Sequence, residues 1–142
     1  MNSSKQEHFA WISLVATVIA MAYYTLKATT LPNGMMIPLA WVFVQIVLWM
    51  ILVHSAIAIC MARPFKKGNF EKDERDAYIE SKANHVSFIL LFAGVNLLLI
   101  ALLFQVNTMM KPINMAHALF FMTFGAHAVS QLMQIISYRR GA

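Results

Sequence analysis

Charged side chains are scarce in this sequence. Lys, Arg, Asp and Glu supply 12% of its 142 residues, where a soluble domain carries about a quarter. A chain so lean in charge, and 60% hydrophobic, does not have the composition of an ordinary soluble domain. There is one cysteine, Cys60, which excludes an internal disulfide and any CxxC-type metal or redox site. It falls in an apolar run, where the expectation for a thiol is a small buried hydrophobe. Acids are rarer than bases. Apart from Glu7 they are confined to Glu71, Asp73, Glu74, Asp76 and Glu80, so no pair of carboxylates lies inside an apolar segment. H-E-x-x-H, G-x-S-x-G and the phosphate-binding P-loop are all missing. The expectation is therefore a non-enzymatic protein with no cofactor called for by motif.

Long apolar runs are abundant. Residues 9–26, 38–62, 86–106 and 115–138 each approach or exceed the ~20 residues of helix that cross a bilayer, and none has Asp, Glu, Lys or Arg in its middle. The runs are continuous rather than alternating, and backbone groups in lipid must be satisfied within the segment, so helices are expected and strands are not. The fold class expected is all-α: an integral membrane four-helix bundle forming one domain, residues 1–142.

Most of the chain's charge is gathered in residues 63–85, RPFKKGNFEKDERDAYIESKANH. This polar run divides a first hairpin, 1–62, from a second, 86–142. Lys5, the six Lys and Arg residues of 63–85, and Arg139 with Arg140 fall on one side of the membrane, against Lys27 and Lys111 on the other. The positive-inside rule puts both termini and the connector in the cytoplasm. The net charge of +5 thus reads as membrane topology and not as nucleic-acid binding. Ala20-Met21-Ala22 resembles a signal-peptidase site after a short apolar stretch, but the first segment is expected to be retained because it has a counterpart in the third.

That counterpart belongs to a repeat. Ser-Lys-x-x-His occurs at Ser4 and again 77 residues later at Ser81. Asn33-Gly34-Met35-Met36-Ile37-Pro38 is matched by Asn107-Thr108-Met109-Met110-Lys111-Pro112 at an offset of 74, and His54 and His127 are 73 apart. Each hairpin starts and ends on the same side, so the repeats are parallel, with a pseudo-two-fold axis along the membrane normal. Ser13, Ala16, Thr17 and Ala20 place small residues at packing spacing on the first helix, with Gly94 and Ala101 on the third and Ala118 and Gly125 on the fourth.

The connector carries the densest chemistry. Pro64 and Gly68 break the second helix, Asn69 is a candidate cap for a new one, and Glu71 and Asp73 in its first turn suit the helix dipole. Ile79, Ala83 and Val86 make an apolar stripe running into the third membrane segment. Asp73, Glu74, Arg75, Asp76, Ile79 and Lys82 form the candidate partner-binding set, facing a cytoplasmic protein or anionic lipid headgroups. The plainer account is a solvated helix whose charges pair with one another, as Glu71 and Arg75 can at i, i+4.

Asp73-Glu74-Arg75, then Ile79, then Lys82-Ala83 at the foot of a membrane segment resembles the D-E-R-x-x-x-I-x-x-K-A segment of certain small bacterial and archaeal multi-pass membrane proteins of unknown function. The resemblance covers residues 73–83 and the hydropathy pattern. It implies a prokaryotic inner-membrane protein with a non-enzymatic role, and it assigns no catalytic residue.

Polar residues within the membrane are the second candidate set, because they are costly there. His127, Gln131 and Gln134 fall within about 60° on the fourth helix at 100° per residue, with Ser130 and Ser137 alongside. His54 lies in the second helix and Asn96 in the third. If the repeats pack symmetrically, His54 and His127 sit at equivalent depth. Three readings are open for them: interhelical hydrogen bonding, bis-imidazole ligation of a haem, and a proton or solute path. Met35, Met36, Met109, Met110 and Met115, with His117, have the soft donors that suit Cu(I). Without an M-x-x-M array, Met as an adaptable filler at helix ends is the simpler account. A bundle of four helices has little interior, so a homodimer is a further expectation alongside contact with membrane lipid.

Overall fold

The computed structural model describes residues 5–31, 36–62, 74–104 and 111–140. These residues form four helices: α1 (Lys5–Thr30), α2 (Met36–Ala62), α3 (Glu74–Leu103) and α4 (Pro112–Arg140). All four are long and apolar enough to cross a membrane. This is the all-α architecture of a multi-pass membrane protein.

The helix ends follow local chemistry. Pro112 opens α4, a position where its missing N–H costs nothing and its fixed φ suits the helix. The Lys111 carbonyl accepts from the N–H groups of Asn114 and Met115 at 3.0 and 3.2 Å, closing the first turn. At the end of α1 the hydroxyls of Thr29 and Thr30 donate to the Leu26 and Lys27 carbonyls, and Leu31 N–H also bonds Lys27. Helix α3 begins at Glu74, twelve residues ahead of the apolar run expected at residue 86, with Glu74 and Asp76 in its first turn. The helical extension expected of the connector is present from that point. Asn69, Glu71 and Asp73 lie outside the described residues.

The packing order places α1 between α2 and α4, and α4 between α1 and α3. Helix α1 is the centre: 39% of its apolar span is buried, against 6% for α3. Its small residues make this possible. Ser13, Ala16, Thr17 and Ala20 are all buried, so neighbouring backbones come close. At one end of the bundle, Tyr24 of α1 stacks on Phe120 of α4 with 3.7 Å between ring centroids, in a cluster completed by Leu39, Val42 and Ile46 of α2 and by Phe124. At the other end Ala10 and Leu14 pack on Ile135. Here too Arg139 donates to Glu7 at 3.2 Å, so the first turn of α1 and the last turn of α4 share one end of the bundle.

At Gly94 α3 lies close against α4: a Cβ added there would meet the Met122 sulfur at 3.2 Å. Gly125, read from the sequence as a packing glycine, would have nothing within 4 Å of an added Cβ. It faces open space rather than a neighbouring helix. The remaining faces are wide apolar surfaces, such as Phe88, Phe92, Leu97 and Leu103 of α3, as expected of helices bathed in lipid.

Candidate functional site

The structure brings together two of the five intramembrane polar candidates. His54 of α2 and His127 of α4 stand edge to face, with 5.3 Å between ring centroids. A third residue joins them. The Ser13 hydroxyl of α1 lies 3.1 Å from His54 Nε2 and 3.2 Å from His127 Nε2. Ser13 itself is buried.

The proton positions follow from what each group can do. His54 Nδ1 is 2.8 Å from the Met50 carbonyl. A carbonyl only accepts, so Nδ1 carries the proton. In neutral His54, Nε2 is then a bare acceptor, and the Ser13 O–H must donate to it. That hydroxyl has no second proton, so His127 Nε2–H donates to the Ser13 oxygen. The opposite assignment would make His54 doubly protonated, a cation within an apolar bundle. The neutral pair therefore has one consistent arrangement: His127 Nε2–H to Ser13 O–H to His54 Nε2. It leaves His127 Nδ1 unprotonated, and among the described residues no hydrogen bond reaches it.

Beside the imidazoles, a groove of about 340 Å³ is lined by α2 and α4. Its walls are Val47, Met50 and Ile51 on one side and Thr123 and Phe124 on the other, with both imidazoles contributing. Ile51 and Thr123 are exposed, so the groove opens sideways at the level of the membrane. This geometry bears on haem: a bis-imidazole site needs a flat macrocycle between the two rings. Here the rings are in edge contact and share one hydroxyl, which leaves no slot between them.

The other polar candidates go elsewhere. Asn96 donates to the Phe92 carbonyl of its own helix at 2.7 Å. Gln131 and Gln134 are half-buried on α4, and no hydrogen bond joins either to the histidines among the described residues. Ser130 is turned to α3, where its hydroxyl donates to Asn84 Oδ1 at 3.0 Å. His117 is taken by Tyr24, whose hydroxyl lies 2.8 Å from Nδ1. The side chains of Met35, Met36, Met109 and Met110 lie outside the described residues. Among the described residues no three His, Cys, Asp or Glu side chains converge as ligands of a metal ion.

The connector candidates separate into two faces of α3. Ile79 is 2% exposed and Ala83 equally buried, so this stripe is packed and not presented. Asp76 is half-buried, and its carboxylate accepts from the Tyr138 hydroxyl of α4. Glu74, Arg75 and Lys82 are exposed, with Lys82 Nζ 5.9 Å above the Tyr78 ring. Asp73 lies outside the described residues. Three participants were not singled out by sequence: Ser13 as a bridge, Glu7 as the partner of Arg139, and Tyr78 as the large side chain of the exposed face. Glu7 had a legible signal, being a lone acid beside an apolar segment. The chain matches no family model, no curated protein and no solved structure.

Proposed function

We propose that this chain is a non-enzymatic multi-pass protein of a prokaryotic inner membrane that docks a cytoplasmic protein on the first turns of α3. In this reading both termini and the connector are cytoplasmic, and 1–62 and 86–142 are parallel hairpin repeats. The Lys and Arg distribution supports the orientation, the recurrence of Ser-Lys-x-x-His supports the repeats, and the D-E-R-x-x-x-I-x-x-K-A resemblance supports the setting. One observation carries the docking reading. Glu74, Arg75, Tyr78 and Lys82 fall within about 100° of one helix face, and all four are exposed. Ile79 and Ala83 on the adjoining face are buried and fix that helix to the bundle.

A rigid helix displaying tyrosine and arginine has the residue types that dominate binding energy at protein interfaces. Its cations call for an acidic patch on the partner. The test is a photo-crosslinking residue at Tyr78 in living cells. A discrete adduct that disappears with Arg75→Glu is expected, while His54→Gln and His127→Gln leave it intact. Adducts indifferent to Arg75→Glu would sink the docking reading.

A second reading rests on the Ser13 bridge. Two imidazoles joined through one hydroxyl make a short directional relay, the kind of element a proton or solute path uses. It predicts the opposite mutational pattern: loss of function with His54→Gln or His127→Gln, and tolerance of Arg75→Glu.

A further inference from the structure

We infer that the groove between α2 and α4 is a binding site for a membrane-dissolved phenol, an aromatic ring bearing a hydroxyl and trailing an apolar tail. This inference is independent of the docking face on α3.

Three observations carry it. The groove opens to the side of the bundle, between Ile51 and Thr123, so a molecule dissolved in lipid reaches it without crossing water. Its volume of about 340 Å³ is at the small end of ligand pockets, which run from about 300 to 1,000 Å³; it admits one ring and leaves a tail outside. Its walls suit that ring: Phe124 offers an aromatic face and Met50 a thioether, both of which pack well against aromatics.

The hydroxyl follows from the proton arrangement. Ser13 fixes His127 as the Nε2–H form, so the other ring nitrogen is a bare acceptor. Among the described residues nothing donates to it, and the imidazole lines the groove. An acceptor in an apolar wall calls for a donor on the ligand. A phenol supplies one, whereas an aliphatic tail or a lipid ester does not. His54 cannot play this part, because both of its nitrogens are engaged.

The experiment uses the full chain in lipid nanodiscs with 15N-labelled histidine, and 4-hexylphenol and hexylbenzene as probes. The expected result is saturable binding of the phenol that shifts the unprotonated nitrogen of His127, with hexylbenzene bound about tenfold more weakly. His127→Gln should abolish that difference. Ile51→Trp fills the mouth of the groove without touching the Ser13 bonds, and should remove binding of both probes while the His54 and His127 signals persist. Equal affinity for the two probes overturns the inference, as does phenol uptake that never saturates. Unchanged phenol binding in Ile51→Trp overturns it too, even if His127→Gln does not fold.

Discussion

His54 and His127 meet through a hydroxyl that belongs to neither of their helices. The Ser13 oxygen is within 3.2 Å of both Nε2 atoms, so α1, α2 and α4 are tied at one point. This dictates which tautomer each ring holds. Nitrogen resonances of the labelled protein near neutral pH should show His54 protonated at Nδ1 and His127 at Nε2. A reversed pattern, or a cationic ring, would refute the relay. Ser13→Ala should lower stability in detergent by about 1–2 kcal/mol, since interhelical hydrogen bonds in membranes average about 0.6 kcal/mol and reach about 1.7. Thr17→Val, a turn further along and equally buried, removes a bond only to its own helix and should cost less.

The existence of the four helices was legible because twenty continuous apolar residues admit little else in a membrane. Their neighbours were not. In lipid the outward face is as apolar as the packed one, so the amphipathic stripe that orients a soluble helix is missing. That is why Gly125 looked like Gly94 in sequence and differs in space. The histidine pair was readable as two costly polar groups at matched positions. Ser13 was readable only as a small residue, because a serine in a membrane helix can equally bond its own backbone. Ile79 shows both sides of the limit. Its place in an apolar stripe was visible, but its neighbourhood of charges also made it look like part of a docking surface.

Ile79 therefore separates structural from interactive roles within one short segment. It is 2% exposed. Ile79→Ala should destabilise by about 2–5 kcal/mol, as large-to-small changes in packed cores do. Glu74→Ala and Lys82→Ala, on the exposed face, should stay within about 0.5 kcal/mol. Unfolding followed by circular dichroism in a mixed detergent series measures both. Comparable losses in all three would mean that the two faces of α3 are not distinct.

Glu7 and Arg139 clamp the first turn of α1 to the last turn of α4. The carboxylate is largely buried and the guanidinium more than half exposed, with side-chain exposures of 11% and 59%. Arg139 also lies 5.3 Å from the Trp11 ring centroid. Because one partner faces solvent, the pair should contribute only about 1 kcal/mol or less. A double-mutant cycle of Glu7→Gln and Arg139→Gln should return a coupling of that size, and it should shrink as salt is raised. A coupling above about 3 kcal/mol would instead indicate a pair shielded from solvent.

The two helical glycines give the last contrast. At Gly125 an added methyl has nothing within 4 Å, and alanine is favoured over glycine in a helix by up to about 1 kcal/mol. Gly125→Ala should therefore be neutral or stabilising by up to that amount. At Gly94 the same methyl comes to 3.2 Å from the sulfur and 3.3 Å from Cγ of Met122. That side chain is flexible, but it is the part of α4 that lies against Gly94. Gly94→Ala must displace it, so the gain in propensity is offset and the change should fall below Gly125→Ala on the stability scale. Gly94→Ala combined with Met122→Ala removes the obstruction and should recover the loss caused by crowding, leaving only the cost of the smaller side chain. If Gly94→Ala proves the more stabilising of the two single changes, then α3 does not approach α4 at that point.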